Sequence, residues 1–205
     1  MVGDSWTHRL ARAAVRPLVG TPVTPNHLTT LRLASGLAAC ACFAAGTRGG
    51  EIWGGVLWVL SAFLDRADGE LARLANTQSR WGHIYDYTSD VSLSALFFVA
   101  IGIGASGGFL GGWAIVLGVL GGVTVAAASF LSEAIERHKE DGIKAYEGRG
   151  GFDFDDILYL FGPIAWLGWL TPFFVAASIG SAVYCIWTFG RLARVRQRDR
   201  ATGGA

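Results

Sequence analysis

Charge is what this sequence has least of. Asp, Glu, Lys and Arg make up only 16% of its 205 residues, against roughly 25% in an average soluble domain, which argues against a globule solvated by water. The formal net charge is +1, so nothing in the overall balance points to nucleic acid, and no nucleic-acid partner is expected. Cysteine is scarce as well. Cys40 and Cys42 are two apart and cannot share a helical face, so with Cys185 they suit neither a zinc site nor a disulfide and read as small packing residues. No apolar stretch directly follows Arg9, Arg12 and Arg16, so no cleavable signal is expected and the first apolar span should be retained. What is plentiful is apolar: 52% hydrophobic residues, 29 Gly and 8 Trp. That composition describes a chain solvated largely by lipid.

Hydrophobic periodicity predicts an all-α integral membrane protein with six transmembrane helices. Residues 5–19 put Trp6, Leu10, Ala13 and Ala14 on one face and Arg9, Arg12 and Arg16 on another, the pattern of an amphipathic helix lying in the membrane interface. A turn with Pro22 and Pro25 leads to a first membrane helix over 27–46, capped by Thr24 or Asn26. The second runs from 52 to about 75 and the third from 82 to 103. A fourth is expected over 110–132, a fifth over 154–170, and a sixth from Thr171 and Pro172 to near Gly190. The chain thus divides into an arm (1–26), a six-helix transmembrane domain (27–192) and a basic tail (193–205). With the N-terminus inside, every Lys and Arg except Arg48 falls on the inner side, so both termini are expected in the cytoplasm.

The second and third helices carry the chemistry. Each is apolar for only about half its length: Ile52 to Leu64 continues into Asp65, Asp68, Glu70 and Arg73, and Asp86 and Asp90 precede the apolar Val91 to Ile103. Apolar arms of roughly 20 Å against a hydrocarbon core of about 30 Å put the carboxylates about 10 Å inside one face. Asp65 and Asp68 share a helical face, as do Asp86 and Asp90, and a short antiparallel connection would bring the pairs together. Four carboxylates partly out of water repel one another and call for a cation. Oxygen-only ligands favour Mg²⁺, Mn²⁺ or Ca²⁺, and Mg²⁺ commonly completes its shell with substrate phosphates. Gly69, Ala72 and Gly82 leave room beside them for a flat group such as a nucleobase. Arg73 neutralises a phosphate oxygen, pairs with an aspartate or reaches headgroups.

Together these residues spell D-x2-D-G-x2-A-R-x8-G-x3-D-x3-D, as Asp65, Asp68, Gly69, Ala72, Arg73, Gly82, Asp86 and Asp90. The pattern resembles that of the CDP-alcohol phosphotransferase family (the CDP-alcohol phosphatidyltransferases), and the likeness extends to the segment 24–29 and Arg32 ahead of the first helix. The resemblance implies transfer of a phosphatidyl or phosphoalcohol group from a CDP-linked lipid donor to an alcohol acceptor, releasing CMP. CDP-diacylglycerol is the first choice of donor, and a CDP-alcohol acting on a lipid hydroxyl is the alternative. It also implies two divalent ions, Mg²⁺ or Mn²⁺, held by Asp65, Asp68 and Asp86. Asp90 is then the general base, touching metal as well, while Gly69, Ala72, Arg73 and Gly82 shape the donor site. A bacterial inner membrane follows from the same likeness, and the asymmetry of Lys and Arg turns the carboxylates toward the cytoplasm. With the Gly-rich third and fourth helices, where Gly118 and Gly122 have GxxxG spacing, it suggests a homodimer.

The shared motif does not choose the acceptor. His83, Arg137, Lys139 and Arg191 are candidates for an acceptor pocket, against a reading of the cations as topological charge in loops. Tyr85 reads as a headgroup-level anchor, and the acidic cluster Asp153, Asp155 and Asp156 as a helix N-terminus. A transporter would also bury aspartates, but it would spread polar residues through the membrane's depth. Here they form one layer.

Overall fold

In the computed structural model, residues 5–137 and 158–202 are described, with side chains described for 5–135 and 158–194. The described residues are helical throughout their regular structure: α1 (Trp6–Val15), α2 (Pro25–Ala44), α3 (Arg48–Leu74), α4 (Arg80–Ala105), α5 (Trp113–Arg137), α6 (Phe161–Trp166) and α7 (Leu170–Thr202). Four of them are long and apolar enough to cross a membrane: α2, α4, and the stretches Trp113–Ile135 of α5 and Leu170–Arg194 of α7. The protein is therefore membrane-embedded.

Local sequence sets the boundaries around the carboxylates. Thr47 caps α3, accepting from the Gly50 amide at 3.1 Å, and the helix runs unbroken through Asp65 and Asp68 because no Pro interrupts it. It stops at Asn76, whose φ of 53° is left-handed. The Thr77 amide then donates to Ala72 O at 3.0 Å and the Asn76 amide to Arg73 O at 3.3 Å, the paired bonds of a Schellman ending. Two residues later Ser79 caps α4, accepting from the Gly82 amide at 3.0 Å. This short connection sets the acidic ends of α3 and α4 level, but the two helices are not the packed neighbours expected from sequence: α2 packs against both and joins them.

At the opposite end the core is aromatic. Phe43 of α2, Trp58 of α3 and Phe97 and Phe98 of α4 pack with Phe161 and Phe174; Trp58 and Phe97 have ring centroids 4.2 Å apart. Helices α4 and α5 approach through backbone. A Cβ at Gly118 would lie 2.7 Å from Phe98 O, and one at Gly122 2.7 Å from Ala95 O. The GxxxG glycines are thus occupied within one chain and make no surface for a second.

Three expectations change. In place of the membrane helix expected over 154–170, the described residues show a 3-10 turn over 158–160 and the six-residue α6, too short by itself to cross a membrane; it ends at Trp166 because Gly168 (φ 76°) turns the chain and its amide caps Ala165 O at 3.1 Å, and residues 154–157 lie outside the described residues. The last helix does not stop near Gly190 but continues to Thr202, since one Gly costs only about 1 kcal/mol among the Leu, Ala and Arg that follow. Helix α1 is not purely interfacial. Trp6 and Leu10 are exposed as a lipid-facing pair would be, but Thr7, Ala11 and Val15 are buried, and Val15 packs with Ala67 and Leu71 of α3.

Candidate active site

The acidic ends of α3 and α4 converge beside the start of α2. One carboxylate oxygen each from Asp65, Asp68 and Asp86 lie within 4.8 Å of one another. An all-oxygen trio at this separation fits a hard divalent cation. Asp90, one turn beyond Asp86, is outside the trio, so three carboxylates rather than four surround one common point.

Two residues of α2 hold the cluster. Thr29 Oγ1 donates to Asp68 Oδ2 at 2.7 Å, which fixes the rotation of a carboxylate that is itself almost fully buried. Arg32 is only 4% exposed. Its Nη1 lies 2.7 Å from Asp65 Oδ1 and 2.5 Å from Asp86 Oδ1, and its Nη2 meets Asp90 Oδ1. The Arg32 carbonyl in turn accepts from Ser61 Oγ at 3.0 Å, tying α2 to α3 just inside the site. One guanidinium therefore serves three carboxylates, a deficit of positive charge that burial makes costly.

A cavity of about 780 Å³ opens on the cluster, lined among others by Asn26, Thr29, Asp68, Gly69, Ala72, Arg73, Gly82, His83 and Asp86. Its volume suits a nucleotide-sized ligand. A Cβ at Gly69 would meet nothing nearer than Arg73 Nη2 at 3.5 Å, and one at Gly82 would come within 3.1 Å of Ser79 Oγ and 3.4 Å of Asn26 Oδ1. These glycines keep the wall low rather than permit an unusual backbone. Arg73 does not pair with an aspartate, as one reading of the sequence expected: its Nη2 donates to Glu70 Oε1 at 2.8 Å.

The acceptor candidates separate. His83 lines the cavity and stacks near Tyr87, with ring centroids 6.5 Å apart. Arg191 does not line it; its guanidinium lies over the Trp187 ring at 5.5 Å. Arg137 ends α5 with its side chain outside the described residues, as is Lys139 and the cluster Asp153, Asp155 and Asp156. Tyr85 bonds to Thr30 Oγ1 at 3.1 Å. His27 accepts the Thr24 amide at 3.2 Å, a capping role. The residues underrated from sequence are Arg32, Thr29 and Glu70. Arg32 did carry a signal: an arginine inside an otherwise apolar run is a functional candidate by default.

A profile described as CDP-alcohol phosphatidyltransferase matches residues 22–174. A phosphatidylinositol phosphate synthase of Streptomyces avermitilis is 32% identical over 115 residues, 52% of this chain and 46% of that protein. The match thus spans about half the length of that curated relative. The crystal structure of a phosphatidylinositol phosphate synthase of Mycobacterium tuberculosis with CDP-DAG bound has a TM-score of 0.64 at 18% identity, covering 91% of this chain and 93% of that one. That likeness is one of fold.

Proposed function

The chain belongs to the CDP-alcohol phosphatidyltransferase family, and from that premise we propose that it transfers a phosphatidyl group from CDP-diacylglycerol to the hydroxyl of an alcohol, releasing CMP. The observation that carries the reading is the convergence of Asp65, Asp68 and Asp86 on one edge of the cavity whose wall is Gly69, Ala72, Arg73 and Gly82. These are the positions of a single motif, spread over two helices and reunited in space.

Asp65, Asp68 and Asp86 would hold divalent metal, Mg²⁺ or Mn²⁺ and two ions in the full complement. The metal's contribution when bound is to polarise the attacked phosphorus and stabilise the departing CMP. The chain's own groups do the rest. Thr29 keeps Asp68 in one orientation. Gly69, Ala72 and Gly82 admit the cytidine, and Arg73 offers a guanidinium to the diphosphate. Asp90 takes the proton of the acceptor hydroxyl as its oxygen bonds to phosphorus and the bond to CMP breaks. Being outside the carboxylate trio suits Asp90 to this role more than to metal ligation. Arg32 supplies positive charge to the cluster until metal does.

The proposed topology keeps six crossings, with α3 as the second and the segment 154–170, of which α6 is part, as the fifth. Both termini and the carboxylates face the cytoplasm of a bacterial inner membrane. The asymmetry of Lys and Arg supports this orientation, and the exposed Trp53, Phe109, Trp113 and Trp169 at one end and Trp81 at the other suit the two interfaces of a bilayer. Residues 27–192 then form the catalytic domain. Since Gly118 and Gly122 pack internally, a homodimer would use other surfaces.

The test is CMP release from CDP-diacylglycerol by purified protein with a panel of alcohols, with a phosphorylated inositol first because the relatives act in phosphatidylinositol phosphate synthesis by name. Release that needs one alcohol and added Mg²⁺ or Mn²⁺ is expected. Failure with every alcohol, or undiminished release in excess chelator, refutes the reading.

A further inference from the structure

Glu70 has no part in the reaction described, yet it is among the most buried side chains of the protein, at 1% exposure. It follows Asp68 by two positions, about 200° around the helix, and so faces away from the carboxylate cluster and under α1. Its Oε1 accepts from His8 Nδ1 at 2.9 Å and from Arg73 Nη2 at 2.8 Å, and its Oε2 from Arg12 Nε at 2.8 Å. Arg66 meets the other ring nitrogen of His8.

Seating α1 does not require a carboxylate. Apolar side chains in place of Glu70 and its partners together would hold the two helices as well, because burying ions costs desolvation that their pairing repays only in part. What an apolar residue cannot do is grip Arg73. That side chain is half exposed, at 50%, and borders the cavity. It arches over Gly69 with its Nη2 fixed on Glu70. An arginine anchored at one nitrogen loses less rotamer freedom when the rest of its fork meets a phosphate.

We infer that Glu70 is a positioning residue of the donor site: it pre-orients the guanidinium of Arg73 at the cavity wall and, through Arg12 and His8, couples that orientation to the docking of α1. The inference rests on the reading of the cavity as the site of a cytidine diphosphate group. It makes the N-terminal helix part of the substrate-binding machinery, and predicts that loosening α1 weakens nucleoside diphosphate binding at a distance.

The probe is CDP, titrated calorimetrically against the full-length protein in detergent with Mg²⁺ present. Glu70→Met keeps an apolar contact with α1 but takes the shared acceptor from three donors, so it is expected to lower the melting temperature; titrated where it stays folded, it should bind CDP about tenfold more weakly. Arg73→Gln should weaken CDP binding as much, and the double variant should be no worse than Arg73→Gln alone, since no guanidinium is left to position. Arg12→Gln, at a partly exposed site, guards against loss of folding in the Glu70 variant. It is expected to weaken CDP about threefold in the wild-type background and not at all beside Arg73→Gln. Wild-type affinity in Glu70→Met, or additive losses in the double variant, would show a merely structural role and overturn the inference. Wild-type protein that binds no CDP overturns the donor-site reading itself, and this inference with it.

Discussion

The two faces of α3 carry opposite imbalances of charge. On the face toward α2 and α4, three carboxylates (Asp65, Asp86 and Asp90) share one guanidinium, Arg32, and a fourth, Asp68, beside them is held by Thr29. On the face toward α1, one carboxylate, Glu70, is surrounded by Arg12, Arg73 and His8, with Arg66 behind His8. An ion pair that serves only the fold tends to be balanced, because each unmatched charge out of water is costly. Both clusters are unbalanced, and each surplus lies beside the same cavity: anionic where a metal would enter, cationic at Arg73 where a diphosphate would lie. On the proposed function, a single helix would present complementary halves of a site for a metal-bound diphosphate.

Removing a ligand on the anionic face should have the largest effect. Asp68→Asn takes away one of three convergent oxygens without changing shape, and is expected to weaken Mn²⁺ binding and lower turnover by more than about a hundredfold. Unchanged Mn²⁺ affinity by electron paramagnetic resonance would mean the trio is not the metal site. Arg32→Gln should act on stability in a metal-dependent way. Without metal it leaves three partly exposed carboxylates uncompensated and should cost about 1–3 kcal/mol, and saturating Mg²⁺ should restore a large part of the loss by taking over the countercharge. A melting temperature that Mg²⁺ does not raise more in this variant than in wild type would refute the shared role. The smallest change is expected from Arg12→Gln on the cationic face. Arg12 is 40% exposed, and Glu70 keeps two other donors, so the loss should be near 1 kcal/mol and indifferent to Mg²⁺. A metal-dependent loss there would erase the distinction between the faces.

The site was legible in sequence to the extent that it is local. The spacing of Asp65 with Asp68, and of Asp86 with Asp90, fixes helical faces, and the polar halves of α3 and α4 do continue as helix. What sequence could not show is which distant cation each acidic group meets. Arg32 lies 54 and 58 residues from Asp86 and Asp90, and Arg12 lies 58 from Glu70, and no periodicity reports such pairs. The amphipathic pattern of α1 was likewise ambiguous, because a helix on a bilayer and a helix on another helix need the same apolar stripe. The glycines misled in both directions. Gly168 ends a helix by adopting a left-handed conformation, whereas Gly190 leaves α7 intact. The residue type permits either, and the surrounding packing decides.

The central claim is a division of labour on one face of α3 and α4, with three carboxylates for the cation and Asp90 for the proton. Single-turnover CMP release by Asp90→Asn, measured beside its affinities for Mn²⁺ and CDP, tests it most directly. The account predicts release slowed by about 10²–10⁴-fold, with both affinities within about twofold of wild type. Release at the wild-type rate, or loss of Mn²⁺ binding in step with release, would contradict it.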